Sequence, residues 1–175
     1  MTLLKELQSV TLAEFEAMEK QEGLTYELID GVVMMSPRPA MQHQIVSGNL
    51  YAELRNALRG KNCRPIPEID LILEGNNLIP DMMVICNDTF DKKRYEQLPF
   101  IVIEIVSPTS SSRDYVSKRN LYEKLNIPEY WVISPEEKCV DVFCFADKKH
   151  FQYCTDQVKS CILPEIIITL DDIFA

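Results

Sequence analysis

Two short apolar runs limit what this chain can fold into, because each carries one carboxylate. The run at 78–86 reads Leu-Ile-Pro-Asp-Met-Met-Val-Ile-Cys, with Asp81 near its start. The run at 100–106 reads Phe-Ile-Val-Ile-Glu-Ile-Val, with Glu104 near its end. Runs this apolar and this short are expected of central strands covered on both faces. A lone ionised carboxylate withdrawn from water costs several kcal/mol even after relaxation. Each acid therefore needs a partner, and a hard divalent cation held by oxygens is an effective one.

Strand parity refines the expectation. Asp81 shares a face with Met83 and Ile85, and Glu104 shares one with Val102 and Val106. Strands paired so that both acids meet could share a Mg²⁺ or Mn²⁺ ion, with the Ile105 carbonyl as a third oxygen. The alternative is that each acid sits at a strand end, solvated or salt-bridged.

The rest of the chain reads as a mixed α/β (α+β) fold, a single domain over 1–175 with one central sheet. Thr11 and Glu14 have capping-box spacing ahead of a short helix, and Asp30-Gly31 marks a hairpin turn within 26–35. Val46, Leu50, Leu54 and Leu58 form one stripe of a second helix. Residues 63–73 read as one strand, with Glu68 and Asp70 on its solvated face, and 74–77 as a turn. A third helix is expected over 113–125, followed by a hairpin around Pro135, further short strands and a short closing segment. In that third helix Asp114, Lys118 and Tyr122 are spaced i, i+4, i+8 and share a face. If the helix returns across the sheet, the Lys118 ammonium can reach the acids; otherwise Asp114 and Lys118 form an exposed pair.

Charge and cysteine usage narrow the class. Eighteen Lys and Arg against twenty-seven Asp and Glu give a net charge of −9. This argues against broad electrostatic binding of nucleic acid. Lys92-Lys93-Arg94 and Lys148-Lys149 are too short for a basic groove and read as solvated loops. The six cysteines have no CxxC spacing and only two histidines accompany them, which disfavours a zinc site. They are expected to be buried free thiols in a reducing, cytoplasmic setting. The N-terminal stretch lacks a signal-peptide core, and no apolar run approaches the roughly 20 residues that cross a membrane.

Taken together, several motifs resemble the Uma2 family, whose fold is similar to restriction endonucleases of the PD-(D/E)xK type. They are Tyr26-Glu27-Leu28-Ile29-Asp30-Gly31, Met35-Ser36-Pro37 with His43 and Leu50, Pro80-Asp81, and Glu104-Ile105-Val106-Ser107-Pro108. Asp114, Lys118 and Tyr122, then Glu129-Tyr130-Trp131, Leu163-Pro164 and Asp172-Ile173-Phe174, complete the set. The resemblance implies Mg²⁺-dependent hydrolysis of nucleic-acid phosphodiesters, DNA ahead of RNA, with no membrane partner and a homodimer as a candidate assembly. It implies Asp81, Glu104 and the Ile105 carbonyl as metal ligands, with Glu27 as an additional acid. Val106 stands where the wider nuclease pattern carries its lysine, and Lys118 could supply that ammonium from the helix. Asp114 and Tyr122 would hold Lys118. His43, Ser107 and Tyr122 are the expected substrate contacts. The rival reading is a binding or scaffold domain that kept a nuclease fold and lost strong catalysis.

Overall fold

A computed structural model describes residues 9–106 and 112–175, and the side chains of 112–115 lie outside that description. The expected contacts at Ser107 and the expected support from Asp114 therefore fall outside the described residues.

The central element is a six-stranded mixed sheet in the order β10-β9-β8-β7-β6-β3. Its strands are β3 (Cys63–Pro67), β6 (Met82–Cys86), β7 (Ile101–Ile105), β8 (Glu129–Ser134), β9 (Cys139–Cys144) and β10 (Lys149–Tyr153). Only β7 and β8 run parallel, joined through helix α3 (Ser112–Lys124). β6 and β7 are buried along their whole length, as their composition demands.

The two faces of this sheet carry different cores. Helix α2 (Met41–Ala57) lays Val46, Leu50 and Leu54 against Met82, Val84, Ile101 and Ile103, and Leu58 just past the helix extends the stripe. On the other face α3 packs Leu121 and Tyr122 against Met83, Val102, Tyr130 and Val132. Arg119 adds a cation–π contact, its guanidinium 5.0 Å from the Phe143 ring centroid.

A four-stranded sheet, β2-β1-β5-β4, stands beside the first. It contains β1 (Leu24–Ile29), β2 (Val32–Pro37), β4 (Leu71–Leu73) and β5 (Asn76–Leu78). Its β1–β2 hairpin turns at Asp30 (φ 45°) and Gly31 (φ 78°), the paired positive values of a two-residue hairpin turn. Gly31 is required twice over, since a Cβ there would lie 2.6 Å from the Ser9 Cβ. Helix α1 (Leu12–Ala17) carries the expected capping box, with Thr11 N–H on Glu14 Oε2 at 2.8 Å and Glu14 N–H on Thr11 Oγ1 at 3.3 Å. A small sheet of β11 (Gln157–Lys159) and β12 (Ile167–Thr169), with helix α4 (Leu170–Phe174), backs the α2 side. Among the described residues no helix is long and apolar enough to cross a membrane.

Three expectations are corrected. Residues 63–73 form two strands in different sheets, because Glu68 adopts φ 43° and ends β3. Glu68 and Asp70 thus belong to a bend, not a strand face. The 74–77 turn narrows to Glu74 and Gly75, while Asn76 and Asn77 are buried strand residues. The cysteines are not free: Cys63 bonds Cys86, Cys139 bonds Cys154 and Cys144 bonds Cys161. Cys63 and Cys86 are register partners across β3 and β6, a juxtaposition that sequence spacing does not reveal. The argument for a reducing compartment falls with the free thiols.

Glu129 is fully buried at the start of β8 and ties the small sheet to the large one. Its carboxylate accepts from Trp131 Nε1, Ser160 Oγ at 3.0 Å, Cys161 N–H at 2.8 Å and Ile162 N–H at 3.1 Å. Glu129→Ala strands these donors in the core. It is expected to lower unfolding free energy by about 3 kcal/mol or more. Urea denaturation checks this, and a loss under about 1 kcal/mol would mean that water replaces the carboxylate.

Candidate active site

Asp81 lies immediately before β6 and Glu104 is the penultimate residue of β7, so the antiparallel pairing brings both to one end of the sheet. Met82 pairs with Ile103, and continuing that register sets Asp81 opposite Glu104. The Ile105 N–H donates to Asp81 Oδ2 at 2.7 Å and fixes this approach. The two acids thus stand across from each other at the junction of β6 and β7.

Lys118 reaches the same place from α3. Its Nζ lies 2.9 Å from Glu104 Oε1 and 3.1 Å from Glu27 Oε2, bridging the two sheets. Glu27, on β1, also accepts from the Ile79 N–H at 2.9 Å. The side chains of Lys118, Glu27 and Glu104 are 19%, 13% and 10% exposed, so these charges are largely withdrawn from water. Lys118 is thus not a surface side chain but the centre of a buried triad with Glu27 and Glu104.

Tyr122 does not take the position of a substrate contact, and His43 stands beside Asp81. Tyr122 is fully buried and donates its hydroxyl to Glu104 Oε1 at 2.7 Å. With no accessible surface it supports Glu104 and has no face for a substrate. His43, on α2, sets Nε2 3.2 Å from Asp81 Oδ1, while its Nδ1 is buried without a partner. Its ring holds Asp81 from the side opposite the Ile105 amide. The backbone donors at Ile79 and Ile105 had no signal in the sequence, since any residue type can present an N–H.

Burial sets the electrostatics. Glu104 is pushed up to about 7, first by desolvation and then by the Asp81 and Glu27 charges, with Lys118 opposing. Burial alone would lower Lys118, but Glu104 and Glu27 outweigh it and raise its pKa, so the ammonium stays charged. The two shifts are compatible because one cation is shared by two acids. Tyr122 is pushed up by burial and then by Glu104, which keeps its proton available for donation. Desolvation works against the His43 cation, yet its hydrogen bond to Asp81 and the Asp81, Glu68 and Glu104 charges leave its pKa raised.

A cleft of about 670 Å³ lies between the β1–β2 hairpin and α3, and Asp81, His43 and Tyr122 are not among the residues that line it. Glu27, Glu104 and Lys118 line it together with Ile29, Val32 and Met34 of the hairpin and Ser117, Asn120 and Leu121 of the helix. Lys124 also lines it, paired with Asp30 at 2.9 Å. The other basic stretches are balanced by acids elsewhere, Lys92 by Asp88, Arg94 by Glu16 and Glu96, and Lys149 by Asp147.

Among the described residues no three His, Cys, Asp or Glu side chains converge closely enough to hold a metal by themselves. The donor set is two carboxylates at a strand end, with backbone carbonyl and water to complete it. That composition fits Mg²⁺, which keeps several waters and is usually bound through one or two carboxylates. The charge balance fits as well. Glu104 and Glu27 share one ammonium, Lys118, while Asp81 is met by the His43 ring.

A mixed sheet with paired acids at one strand end and a lysine delivered from the next helix defines a restriction-endonuclease-like fold. The chain belongs to the Uma2 family, described as "Putative restriction endonuclease", whose model matches residues 12–169. A crystal structure described as "a putative nuclease belonging to DUF820", from Anabaena variabilis, superposes with a TM-score of 0.80. It covers 94% of this chain and 97% of its own at 19% identity, a likeness of fold. An uncharacterized protein of Synechocystis sp., slr1290, is 24% identical over 136 residues, 74% of this chain and 71% of that protein.

The raised Glu104 pKa has a stability consequence with a definite sign. Between its ordinary value of 4.5 and about 7, the folded protein binds a proton at Glu104 that the unfolded chain has released. Stability contributed by this residue therefore falls as pH rises through that window, and the full penalty is present above it. In EDTA, Glu104→Gln is expected to compare more favourably with wild type at pH 8 than at pH 5 by urea denaturation. The same difference at both pH values would mean an ordinary carboxylate at position 104.

Proposed function

We propose that this chain is a Mg²⁺-dependent nuclease that hydrolyses nucleic-acid phosphodiesters, DNA ahead of RNA. One observation carries the reading: Asp81 and Glu104 lie at one strand end, with the Lys118 ammonium 2.9 Å from Glu104. The description of the family as restriction endonucleases supports DNA as the polymer.

On this reading Asp81, Glu104 and the Ile105 carbonyl hold the ion. When bound, Mg²⁺ supplies Lewis-acid stabilisation of phosphate charge and lowers the pKa of a coordinated water. The protein's own groups do the rest. Ile105 N–H and His43 Nε2 fix the Asp81 carboxylate at 2.7 and 3.2 Å, while the Tyr122 hydroxyl fixes Glu104. Lys118, charged and held between Glu104 and Glu27, orients the attacking water and stabilises the charge that develops on the phosphate oxygens. Glu27 keeps that ammonium in place and is itself anchored by the Ile79 amide. Proximity of these groups, pre-set by two sheets and two helices, lowers the entropic part of the barrier.

A second reading is favoured by the same ion pair. Lys118 already neutralises Glu27 and Glu104 in part, so the cleft could be a binding site on a nuclease scaffold with little turnover. Titration with Mn²⁺ alongside a nuclease assay separates the two. The leading reading expects metal binding, metal-dependent cleavage, and loss of cleavage in folded Asp81→Ala and Glu104→Ala variants. Absence of both binding and cleavage selects the scaffold reading.

Lys118→Met keeps side-chain length and removes the charge. It is expected to slow cleavage by about 10²-fold or more while changing Mn²⁺ affinity by only about threefold. Turnover near wild type would remove Lys118 from the chemistry.

A further inference from the structure

We infer that the cleft recognises an unpaired DNA strand, seating a base on the β1–β2 hairpin beside the reacting phosphate. This rests on the reading of the cleft as a phosphodiester hydrolysis site.

The hairpin register carries the argument. Glu27 pairs with Met34 and Ile29 pairs with Val32, so these four side chains share one face of the hairpin. Glu27 contacts Lys118, and its strand neighbour Met34 is therefore one side chain away from the charged triad. Val32 and Met34 are 58% and 43% exposed although both are apolar and line the cleft. A flexible, polarisable thioether and a branched aliphatic side chain form an apolar surface that can adapt to the face of an aromatic base. From α3, Ser117 and Asn120 line the same cleft and offer a hydroxyl and an amide to a base edge.

Charge argues against a duplex. Duplex binding draws its affinity from lysines and arginines that neutralise successive phosphates. The two lysines that line the cleft, Lys118 and Lys124, are each paired with acids of the hairpin or sheet. With a net charge of −9 overall, a track of phosphates gains little here. One phosphate at the triad and one stacked base on the apolar wall is the arrangement these side chains can satisfy. A base inside a duplex has its faces covered by its neighbours, so only an unpaired or flipped-out nucleotide can use that wall.

The test is fluorescence anisotropy with the full chain in Ca²⁺, which replaces Mg²⁺ to limit cleavage. The probes are a labelled DNA strand, the same strand in a duplex, and a strand of equal length carrying abasic sites. The intact strand is expected to bind about tenfold tighter than the duplex and about tenfold tighter than the abasic strand. Met34→Ser, which adds no charge, is expected to lose most of the strand's advantage over the abasic strand. A circular-dichroism melt of that variant confirms that it folds. Val32→Ser is the second variant should Met34→Ser fail to fold. Duplex binding as tight as strand binding, an abasic strand bound as well as the intact one, or no binding of either form overturns the inference. Strand preference without Mg²⁺-dependent cleavage sinks the hydrolysis reading and leaves base recognition standing. Cleavage of duplex with no strand preference does the reverse.

Discussion

The arrangement of the site depends on one buried ammonium. Lys118 stands between Glu104 of the six-stranded sheet and Glu27 of the four-stranded sheet, and it comes from a helix that belongs to neither. Three separate elements are thus pinned at a single atom. Such an interaction is a poor source of net stability, since withdrawing the charges from water offsets much of their attraction. What it supplies is registration. A hairpin displaced along α3 would carry Glu27 away from Lys118 and leave a largely buried carboxylate without its cation. The raised pKa of Glu104 shows how near that limit the site stands even with Lys118 in place.

The sheet topology explains why the acids can be brought so close without becoming disordered. β7 pairs antiparallel with β6 on one side and parallel with β8 on the other. Antiparallel pairing with β6 sets Asp81 across from Glu104. The parallel connection to β8 requires a crossover, and α3 is that crossover. The helix that must exist to connect β7 with β8 is the one that carries Lys118 and Tyr122. Tyr122 sits one turn on from Lys118 and is packed among Leu121, Val102 and Tyr130, so core packing aims a hydroxyl at Glu104. Burial of Tyr122 is therefore part of how the carboxylate is oriented.

Much of this was legible in the sequence because it follows from local rules. The apolar runs around Asp81 and Glu104 indicated central strands, and parity gave the neighbours that each acid shares a face with. The Asp30-Gly31 turn marked the hairpin, and the structure pairs Glu27 with Met34 across it. What stayed hidden depends on contacts between distant segments. Glu68 interrupts a run that reads as one strand because its positive φ is imposed by the divergence of two sheets. The pairing of Cys63 with Cys86 follows from a register that spacing does not encode. His43 and Tyr122 were read as facing substrate because polar side chains near a motif look available. The Tyr122 hydroxyl is instead committed to Glu104 and His43 Nε2 to Asp81, contacts that become visible only in the folded chain.

The overall acidity of the chain then acquires a physical sense. A polyanionic substrate meets no long-range attraction from a protein of charge −9, so encounter is not steered by the surface field. Attraction must arise within the cleft, where Lys118 and the proposed ion act at short range and in a medium less polar than water. Local attraction of this kind discriminates in a way that a basic surface does not. Phosphates outside the cleft meet acids such as Glu16 and Glu96, which already hold Arg94. A strand gains only what enters the cleft, and there the apolar hairpin face contributes alongside the charge. Affinity built in that way depends on the base being free to leave its stack, which makes pairing state, more than phosphate count, the property such a site can read.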